Sequence, residues 1–182
     1  GSVIGTDRES ITYYQGERGD ERADYTDTYF IGSTTLRTRT INYYGNARAS
    51  LASSSAALTR TETFDQWGVL SSKSFYVGLK DSEVVDYSYS YKRTGEVSRK
   101  TVYYYEGDRR ADSADPDSAM IRQEVFFGTT SVRESSTLFD IRFGRGAERA
   151  DTQTIYGPGG TVKDIVTSYY VAFGKSGPVR AA

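Results

Sequence analysis

The sequence repeats itself at intervals of about 62 residues, and this periodicity constrains the fold more than any other feature. Short aromatic segments that run into a glycine recur along the chain, and corresponding glycines lie close to one period apart. The series is Gly16, Gly32, Gly45 and Gly68, then Gly78, Gly95, Gly107 and Gly128, then Gly144 and Gly157. A fixed period predicts a repeat architecture, in which stacked neighbouring units bury each other's surfaces.

The similarity between copies extends to other residue types. Thr-Ile-Asn-Tyr-Tyr-Gly at 40–45 corresponds to Thr-Val-Tyr-Tyr-Tyr-Glu-Gly at 101–107. The side chains Arg60, Glu62 and Phe64 are followed one period later by Arg122, Glu124 and Phe126. We therefore expect one repeat array over residues 1–182, with copies at approximately 3–66, 67–127 and 128–182, the last of them partial. Gly1-Ser2 has the form of an expression remnant and is left out of the fold prediction.

The composition favours strands and excludes several classes of partner. Sixteen Tyr and eight Phe against three Pro are typical of β-structure. A net charge of −1, with acidic and basic residues interspersed, supplies no positive field for nucleic acid. No stretch approaches the ~20 apolar residues of a membrane span, so we expect no membrane insertion by this segment. The absence of Cys excludes disulfides and thiolate metal sites.

Alternating residues predict β-hairpins. Tyr87, Tyr89 and Tyr91 alternate with small polar residues, and a turn containing Gly95 leads into a second strand-like run at 97–105. The segment 156–162 has the same form, with Tyr156 and Gly160 at corresponding places, and Tyr29 stands at that place in the first copy. The predicted fold is all-β and elongated, with tandem antiparallel hairpins that form a twisted ribbon or a β-solenoid.

Two of these hairpins resemble the tyrosine–aspartate (YD) repeat, whose pattern is Tyr-x-Tyr-Asp-x-x-Gly followed by an aliphatic residue two positions on. The matching segments are 89–97 and 155–162, with Lys92 and Gly157 at the position usually held by Asp. The resemblance covers roughly a third of the chain. It implies long hairpin ribbons, as in large bacterial surface and toxin-associated proteins, where the repeats form walls or stalks. An extracellular or cell-surface location is implied, with neighbouring repeats of the same chain as partners.

The triplet Arg-Ala-Asp occurs three times, at Arg22 to Asp24, Arg110 to Asp112 and Arg149 to Asp151. One interpretation is a calcium site formed by Asp112, Asp115 and Asp117, although the loop with a terminal Glu that calcium sites commonly use is missing. The favoured interpretation is that Arg and Asp pair across strands or between copies and so fix the register of the sheet. On this interpretation the chain needs no cofactor.

Two further segments leave alternatives open. Asp115-Pro116-Asp117 is compatible with the first turn of a short helix or with a plain loop. Arg18-Gly19-Asp20 matches a cell-adhesion tripeptide, and coincidence is the favoured explanation because the corresponding stretches at 80–82 and 145–147 do not keep it. The single Trp, Trp67, is expected to pack against neighbouring residues.

The leading functional prediction is a structural segment of a very large extracellular or cell-surface protein, without catalysis of its own. The chain has no His, which removes the commonest general base. An alternative is an adhesin or carbohydrate-binding module that uses exposed Tyr rows, with a glycan or a cell-surface protein as partner. A third is a glycan-active enzyme with a carboxylate pair. A scaffold should bury its Tyr rows, an adhesin should expose them on one face, and an enzyme should hold two carboxylates in a unique cleft.

Overall fold

The structure, a computed structural model, describes residues 9–171 and 178–180. Its regular elements are short β-strands joined by turns. They are β1 (Ser10–Gln15), β2 (Arg22–Tyr29), β3 (Leu36–Tyr44), β4 (Ala47–Arg48), β5 (Leu58–Asp65), β6 (Leu70–Val77), β7 (Val84–Tyr91), β8 (Val97–Tyr105), β9 (Met120–Phe127), β10 (Arg133–Asp140), β11 (Arg149–Tyr156), β12 (Val162–Thr167), β13 (Tyr169–Val171) and β14 (Pro178–Arg180). Within the described residues the only helical element is a 3-10 turn at Pro158–Gly160.

The long strands form one open antiparallel sheet in which spatial order follows chain order. The order is β1-β2-β3-β5-β6-β7-β8-β9-β10-β11-β12, with the short β4 paired to the end of β3. β13 and β14 form a separate hairpin. Among the described residues, β1 and β12 each have a single neighbour, so the sheet is not closed. The prediction of an all-β chain of antiparallel hairpins is confirmed.

Connections of different lengths lie at the two margins of the sheet. The short-turn margin carries the turns at 30–35, 66–69, 92–96, 128–132 and 157–161. The loop margin carries the connections at 16–21, 45–57, 78–83, 106–119 and 141–148, which are six to fourteen residues long, against four to six at the short-turn margin. The segment around Pro116 belongs to the loop margin and forms a turn, with Ser118 N donating to Asp115 O at 2.9 Å. Of the two alternatives left open for this segment, the structure has the loop.

The two faces of the sheet differ in chemistry because successive side chains of a strand point to opposite sides. The aromatic face carries Tyr, Phe and charged residues; the Phe75 and Tyr87 rings, for example, stack with centroids 4.6 Å apart. The hydroxyl face carries mainly small polar side chains, with Tyr103 on it beside Ser88. One row across six strands, set by the strand register, is Thr12, Thr26, Thr40, Thr63, Ser72 and Ser90.

The sheet has little conventional core. Among the described residues the buried apolar ones are Ala49, Val84, Val102, Tyr105, Ala111 and Ala119, and they are fewer than the buried polar ones. The accessible surface is 11436 Å², whereas a compact monomer of 20.2 kDa exposes about 8,800 Å². A thin sheet of this kind depends on contacts between side chains of neighbouring strands.

Candidate functional site

A cluster of one Tyr, one Glu and two cations lies on the aromatic face between β3 and β6. The Arg60 guanidinium lies 4.1 Å from the Tyr43 ring centroid, and the Tyr43 hydroxyl donates to Glu62 Oε2 at 3.2 Å. Glu62 Oε1 also pairs with Lys73 Nζ at 2.8 Å. Burial acts to raise the pKa of Glu62, but the hydrogen bond and charge of Lys73 outweigh it and lower the pKa below its ordinary value.

A second cluster of the same composition lies between β8 and β10. The Arg122 guanidinium lies 3.9 Å from the Tyr104 ring centroid, and the Tyr104 hydroxyl donates to Glu124 Oε2 at 3.3 Å. Glu124 Oε1 accepts one hydrogen bond from Arg122 Nη1 and pairs with Arg133 Nη2 at 2.9 Å. The Glu124 side chain is only 3% exposed, so its charge is held by these partners and not by water. Burial raises the pKa of Tyr104.

Tyrosine hydroxyls at the loop margin hold the starts of neighbouring strands. Each donates to the backbone carbonyl of the second residue of β2, β7 or β11. The pairs are Tyr44 with Ala23 at 2.9 Å, Tyr105 with Val85, and Tyr170 with Ala150 at 2.6 Å. Burial raises the pKa values of Tyr44 and Tyr105, since the ionised phenol would lose its hydration.

Arg and Asp side chains pair near the same margin. Arg48 Nε donates to Asp24 Oδ1 at 2.8 Å, and Arg110 donates to Asp86 Oδ1 at 2.5 Å. Arg48 follows β3 and binds Asp24 of β2, and Arg110 follows β8 and binds Asp86 of β7. Each pair therefore joins the segment after one strand to the strand that precedes it in the sheet. Asp24 is buried, so loss of Arg48 would leave a carboxylate without compensation.

A cleft of about 420 Å³ opens at the loop margin beside the second of these hydroxyl contacts. Its walls combine aromatic and aliphatic side chains with two carboxylates and one guanidinium. Residues that line it include Tyr76, Val84, Tyr103, Tyr105, Met120 and Glu148. Such a mixture of apolar walls and a few polar groups is typical of a small-ligand pocket.

The charged groups of this cleft are already engaged with the main chain. Glu148 Oε1 accepts from Met120 N at 3.0 Å, and its other oxygen accepts from Gly146 N at 2.8 Å. Arg145 donates to the carbonyl oxygen of Glu83 at 3.2 Å. The carboxylate of Glu148 therefore positions the start of β9. Chemically this arrangement favours structural anchoring over proton transfer.

A smaller cleft of about 270 Å³ lies at the same margin beside Tyr44. Glu83 lines it and accepts from Leu58 N at 2.7 Å, which anchors the start of β5 as Glu148 anchors β9. Arg22 stands at the first position of β2, where β7 has Val84, and its guanidinium lies 5.1 Å from the Tyr44 ring centroid. Arg22 is longer than Val84, and the cleft beside Arg22 is the smaller of the two.

The predicted hairpin positions fall at the short-turn margin. Tyr29, Tyr91 and Tyr156 are the last residues of β2, β7 and β11. Gly95 and Gly160 adopt φ values of +87° and +79° in the turns that follow β7 and β11. A positive φ is what a turn glycine supplies without steric cost.

The three Arg-Ala-Asp triplets occupy two kinds of position. Arg22 to Asp24 begins β2, and Arg149 to Asp151 begins β11, whereas Arg110 to Asp112 lies in the loop after β8. The Arg149 guanidinium lies 5.4 Å from the Tyr170 ring centroid, as Arg22 does from Tyr44 at 5.1 Å. The triplets at 22 and 149 thus have similar surroundings, and the one at 110 does not share them.

The calcium candidates Asp112, Asp115 and Asp117 are exposed residues of the loop after β8. Asp115 pairs with Arg109 at 3.2 Å. Within residues 9–171 and 178–180, no three carboxylates are grouped as a metal site requires. The same ranges contain no helix that is long and apolar enough to cross a membrane.

Two other sequence features have definite surroundings. Asp20 of the adhesion-like tripeptide pairs with Lys80 Nζ at 2.6 Å, and this hydrogen bond lowers the pKa of Asp20. Trp67, which was expected to pack against neighbouring residues, lies in the turn after β5 and is 63% exposed. Arg93 covers part of its ring, 4.2 Å from the centroid.

Sequence reasoning missed the anchoring carboxylates. Glu83 and Glu148 each stand directly before a strand, β7 and β11, and Glu21 holds that place before β2. This common position was a usable signal. Glu21 and Glu83 lie 62 residues apart, which is one period, whereas Glu148 follows a longer loop and lies 65 residues after Glu83.

Comparisons of the chain with protein-family models, with curated proteins and with solved structures gave no match. Its class is therefore defined by the fold and the contacts alone, as an open antiparallel β-sheet whose strands are joined by polar and aromatic clusters.

Proposed function

We propose that this chain is a structural segment of a very large extracellular or cell-surface protein, built from units of about 62 residues that each add four strands to one sheet. The observation that carries the proposal is the recurrence of the same contacts. Tyr43, Arg60 and Glu62 make the same contacts with one another as Tyr104, Arg122 and Glu124 do one period later, whereas the second cation differs, being Lys73 in one cluster and Arg133 in the other. The YD resemblance of the hairpins supports a bacterial origin.

Strand positions support units of this length. β2, β7 and β11 begin at residues 22, 84 and 149, and β3, β8 and β12 begin at 36, 97 and 162. β5 and β9 begin at 58 and 120, and β6 and β10 at 70 and 133. Bulges also recur, since the register shifts just before Tyr29, Tyr91 and Tyr156. Bulges at corresponding positions support a common construction of the units.

Of the two architectures predicted from the sequence, we favour the ribbon over the solenoid. Extensive contacts join only strands that are neighbours in the sheet, and each unit continues the sheet sideways. Four strands widen a sheet by about 19 Å, because neighbouring strands lie about 4.8 Å apart. A segment of this kind is suited to spanning distance.

A structural role explains the carboxylates of the cleft at the loop margin better than catalysis does. A glycosidase needs two carboxylates free to act on a sugar, but Glu83 and Glu148 each accept a hydrogen bond from the first backbone amide of a strand. Clefts with this anchoring Glu occur twice along the loop margin, which supports a role in joining units.

A second candidate function is glycan or protein binding by the aromatic face. One observation favours it, since Tyr87, Tyr89 and Tyr91 form a row on that face. Their rings meet edge to face, with centroids 5.5 and 6.5 Å apart. This arrangement fills the spaces between the rings and leaves less flat surface for a sugar, so we rank this function second.

The proposal is tested by adding and removing one unit. In the insertion variant, a second copy of residues 84–148 follows Glu148; in the deletion variant, residues 84–148 are removed. We expect both variants to fold as β-sheets, and the insertion to lengthen the maximum dimension in small-angle X-ray scattering by about 19 Å. Stability should rise or stay equal on insertion, as in other repeat proteins.

A matched control uses the same number of residues cut out of phase. A copy of residues 100–164 inserted after Glu148 breaks a strand at each junction and should unfold the chain. If the in-phase and out-of-phase insertions behave alike, or if the in-phase deletion abolishes folding, the units are not modular and the scaffold proposal fails.

A further inference from the structure

The edge strand β12 exposes apolar side chains beside backbone groups that no described strand pairs with. β11 pairs with it on one side, and no described strand pairs with it on the other. Its side chains Val162, Ile165 and Val166 are 57%, 58% and 45% exposed, and Tyr169 of β13 is 61% exposed. Unpaired backbone groups beside apolar side chains form a template for a further strand.

The inner strands β3 and β8 occupy the same place in their hairpins as β12 does, and each has a paired strand on both sides. β3 and β8 each follow a strand that ends in Tyr, and their first residues pair with that Tyr. The pairs are Tyr29 with Leu36, Tyr91 with Val97 and, for β12, Tyr156 with Val162. The far side of β3 is covered by β5, and the far side of β8 by β9.

The covering strands present an aromatic ring at a defined place. Phe64 of β5 lies opposite Arg39 of β3, and Phe126 of β9 lies opposite Lys100 of β8. Arg39 and Lys100 each lie three residues after the first residue of their strand. The residue three positions after Val162, the first residue of β12, is Ile165. An aliphatic side chain opposite Phe is a favourable cross-strand pair.

The covering strands also present Arg and Glu to a tyrosine. In the strand register Tyr43 lies opposite Arg48 of β4 on one side and opposite Arg60 of β5 on the other. Glu62 of β5 accepts a hydrogen bond from the Tyr43 hydroxyl. Tyr169 stands at the corresponding place after β12 and, within the described residues, pairs across strands with Arg180 alone. No described strand covers its other side, which accounts for its exposure.

We propose that the edge formed by β12 and β13 binds an extended segment of sequence Arg-x-Glu-x-Phe in antiparallel register. The Arg guanidinium of the bound segment lies over the Tyr169 ring, and its Glu carboxylate accepts a hydrogen bond from the Tyr169 hydroxyl. Its Phe ring packs beside Ile165. The occupant is a further strand of the β5 type from another unit of the same kind, so the inference rests on the proposed function and specifies how units join.

The other edge of the sheet does not supply this sequence. β1 reads Ser-Ile-Thr-Tyr-Tyr-Gln and has no charged side chain. A second copy that paired its β1 with β12 would leave Tyr169 without an Arg or a Glu. Charge and shape therefore favour an Arg-x-Glu-x-Phe strand over simple end-to-end association of two copies.

The test is binding of a labelled peptide with the sequence of residues 57–66, which contains Arg60, Glu62 and Phe64. Fluorescence anisotropy measures its affinity for the full chain, and hydrogen exchange locates the protected amides. The matched control is a peptide in which Arg60 and Glu62 exchange places, since it has the same composition. We expect the control to bind at least about tenfold more weakly, a difference of about 1.4 kcal/mol.

Protein variants at exposed positions test the site without endangering the fold. Tyr169→Phe removes one hydrogen bond and should weaken peptide binding by roughly threefold. Ile165→Lys should weaken it further, whereas Tyr13→Ala near the opposite edge should have no effect. Protection should appear in β12 and β13.

Equal binding of the two peptides, insensitivity to Tyr169→Phe and Ile165→Lys, or protection of β1 would each overturn the proposal. Sedimentation of the chain without peptide gives a further outcome, because dimers that resist competition by the peptide would show that a second copy is the true occupant. The unit insertion described above does not involve this edge. If the insertion variant folds and the peptide fails, only the docking proposal is lost.

Discussion

Glu124 is the side chain whose change should reveal most about how this sheet is held together. It is buried on the aromatic face, where Arg122, Arg133 and Tyr104 all contact its carboxylate. Glu124→Gln keeps the shape and one acceptor oxygen but removes the charge. We expect the free energy of unfolding to fall by about 2 kcal/mol, since two ion pairs become hydrogen bonds from charged guanidinium groups to a neutral amide.

The magnitude follows from the burial of each partner. Removing one charge of a buried ion pair costs about 3–5 kcal/mol, whereas an exposed pair contributes about 0.2–1 kcal/mol. The expected loss lies between these ranges, because the side chains of Arg122 and Arg133 are 21% and 39% exposed and water partly replaces the lost charge. The expected loss remains well above that of a surface pair.

Urea unfolding followed by far-UV circular dichroism and by fluorescence of Trp67 measures this change. The matched control is Glu96→Gln, because Glu96 also pairs with a cation, Lys92, but both side chains are more than half exposed. The control should change stability by less than about 0.5 kcal/mol. If Glu124→Gln and Glu96→Gln lose equally little, buried ionic clusters do not hold the sheet together and this reasoning is wrong.

Three further outcomes are expected. Gly78→Ala should destabilise the fold more than Gly95→Ala by about 1–2 kcal/mol in urea unfolding, because backbone strain of this kind costs about 1–3 kcal/mol; Gly78 has a φ of +134° and a new Cβ would lie 2.8 Å from Ser82 O, whereas none crowds Gly95. Thermal stability should decline above pH 10.0, the ordinary pKa from which burial raises that of Tyr105: the neutral phenol is favoured in the fold, so stability is full below this pH and is lost as the unfolded chain ionises. A flat profile through tyrosine ionisation would contradict this. Stability should also decline as the pH falls below 4.5, because the pKa of Glu62 is lowered in the fold, and Glu62→Gln should reduce that decline.

Much of the fold was predictable from local patterns. The alternation around Tyr89 and the turn glycines Gly95 and Gly160 gave the right strands and turns, because residue alternation and positive φ are short-range properties. The predicted pairing of corresponding hairpins also placed β7 beside β8 and β11 beside β12. An antiparallel meander needs no more than this, since each strand pairs with the next.

What the sequence did not reveal depends on contacts across the sheet. The position of Glu148 before a strand was visible, but its role was missed because its partner is the backbone amide of Met120, which any residue type would supply. The exposure of Trp67 was not evident from the sequence, because in a single-layer sheet a turn residue packs against few others, and here Arg93 covers only part of the ring. The calcium candidates Asp112, Asp115 and Asp117 are close in sequence, but among the described residues they do not form a group that could hold a metal ion.

The thinness of the core explains why polar clusters carry so much of the fold. A sheet with two solvent-facing sides cannot bury long apolar side chains on either, so Tyr, Arg and Glu take their place; they cover one another with their apolar parts and keep their polar ends hydrogen-bonded. Each cluster needs three consecutive strands, as β8, β9 and β10 show for Glu124. A strand at the edge therefore holds only part of a cluster. The exposed Tyr169 beside β12 is such a part, and its completion by Arg and Glu of a further strand is what would make lateral growth of the sheet favourable.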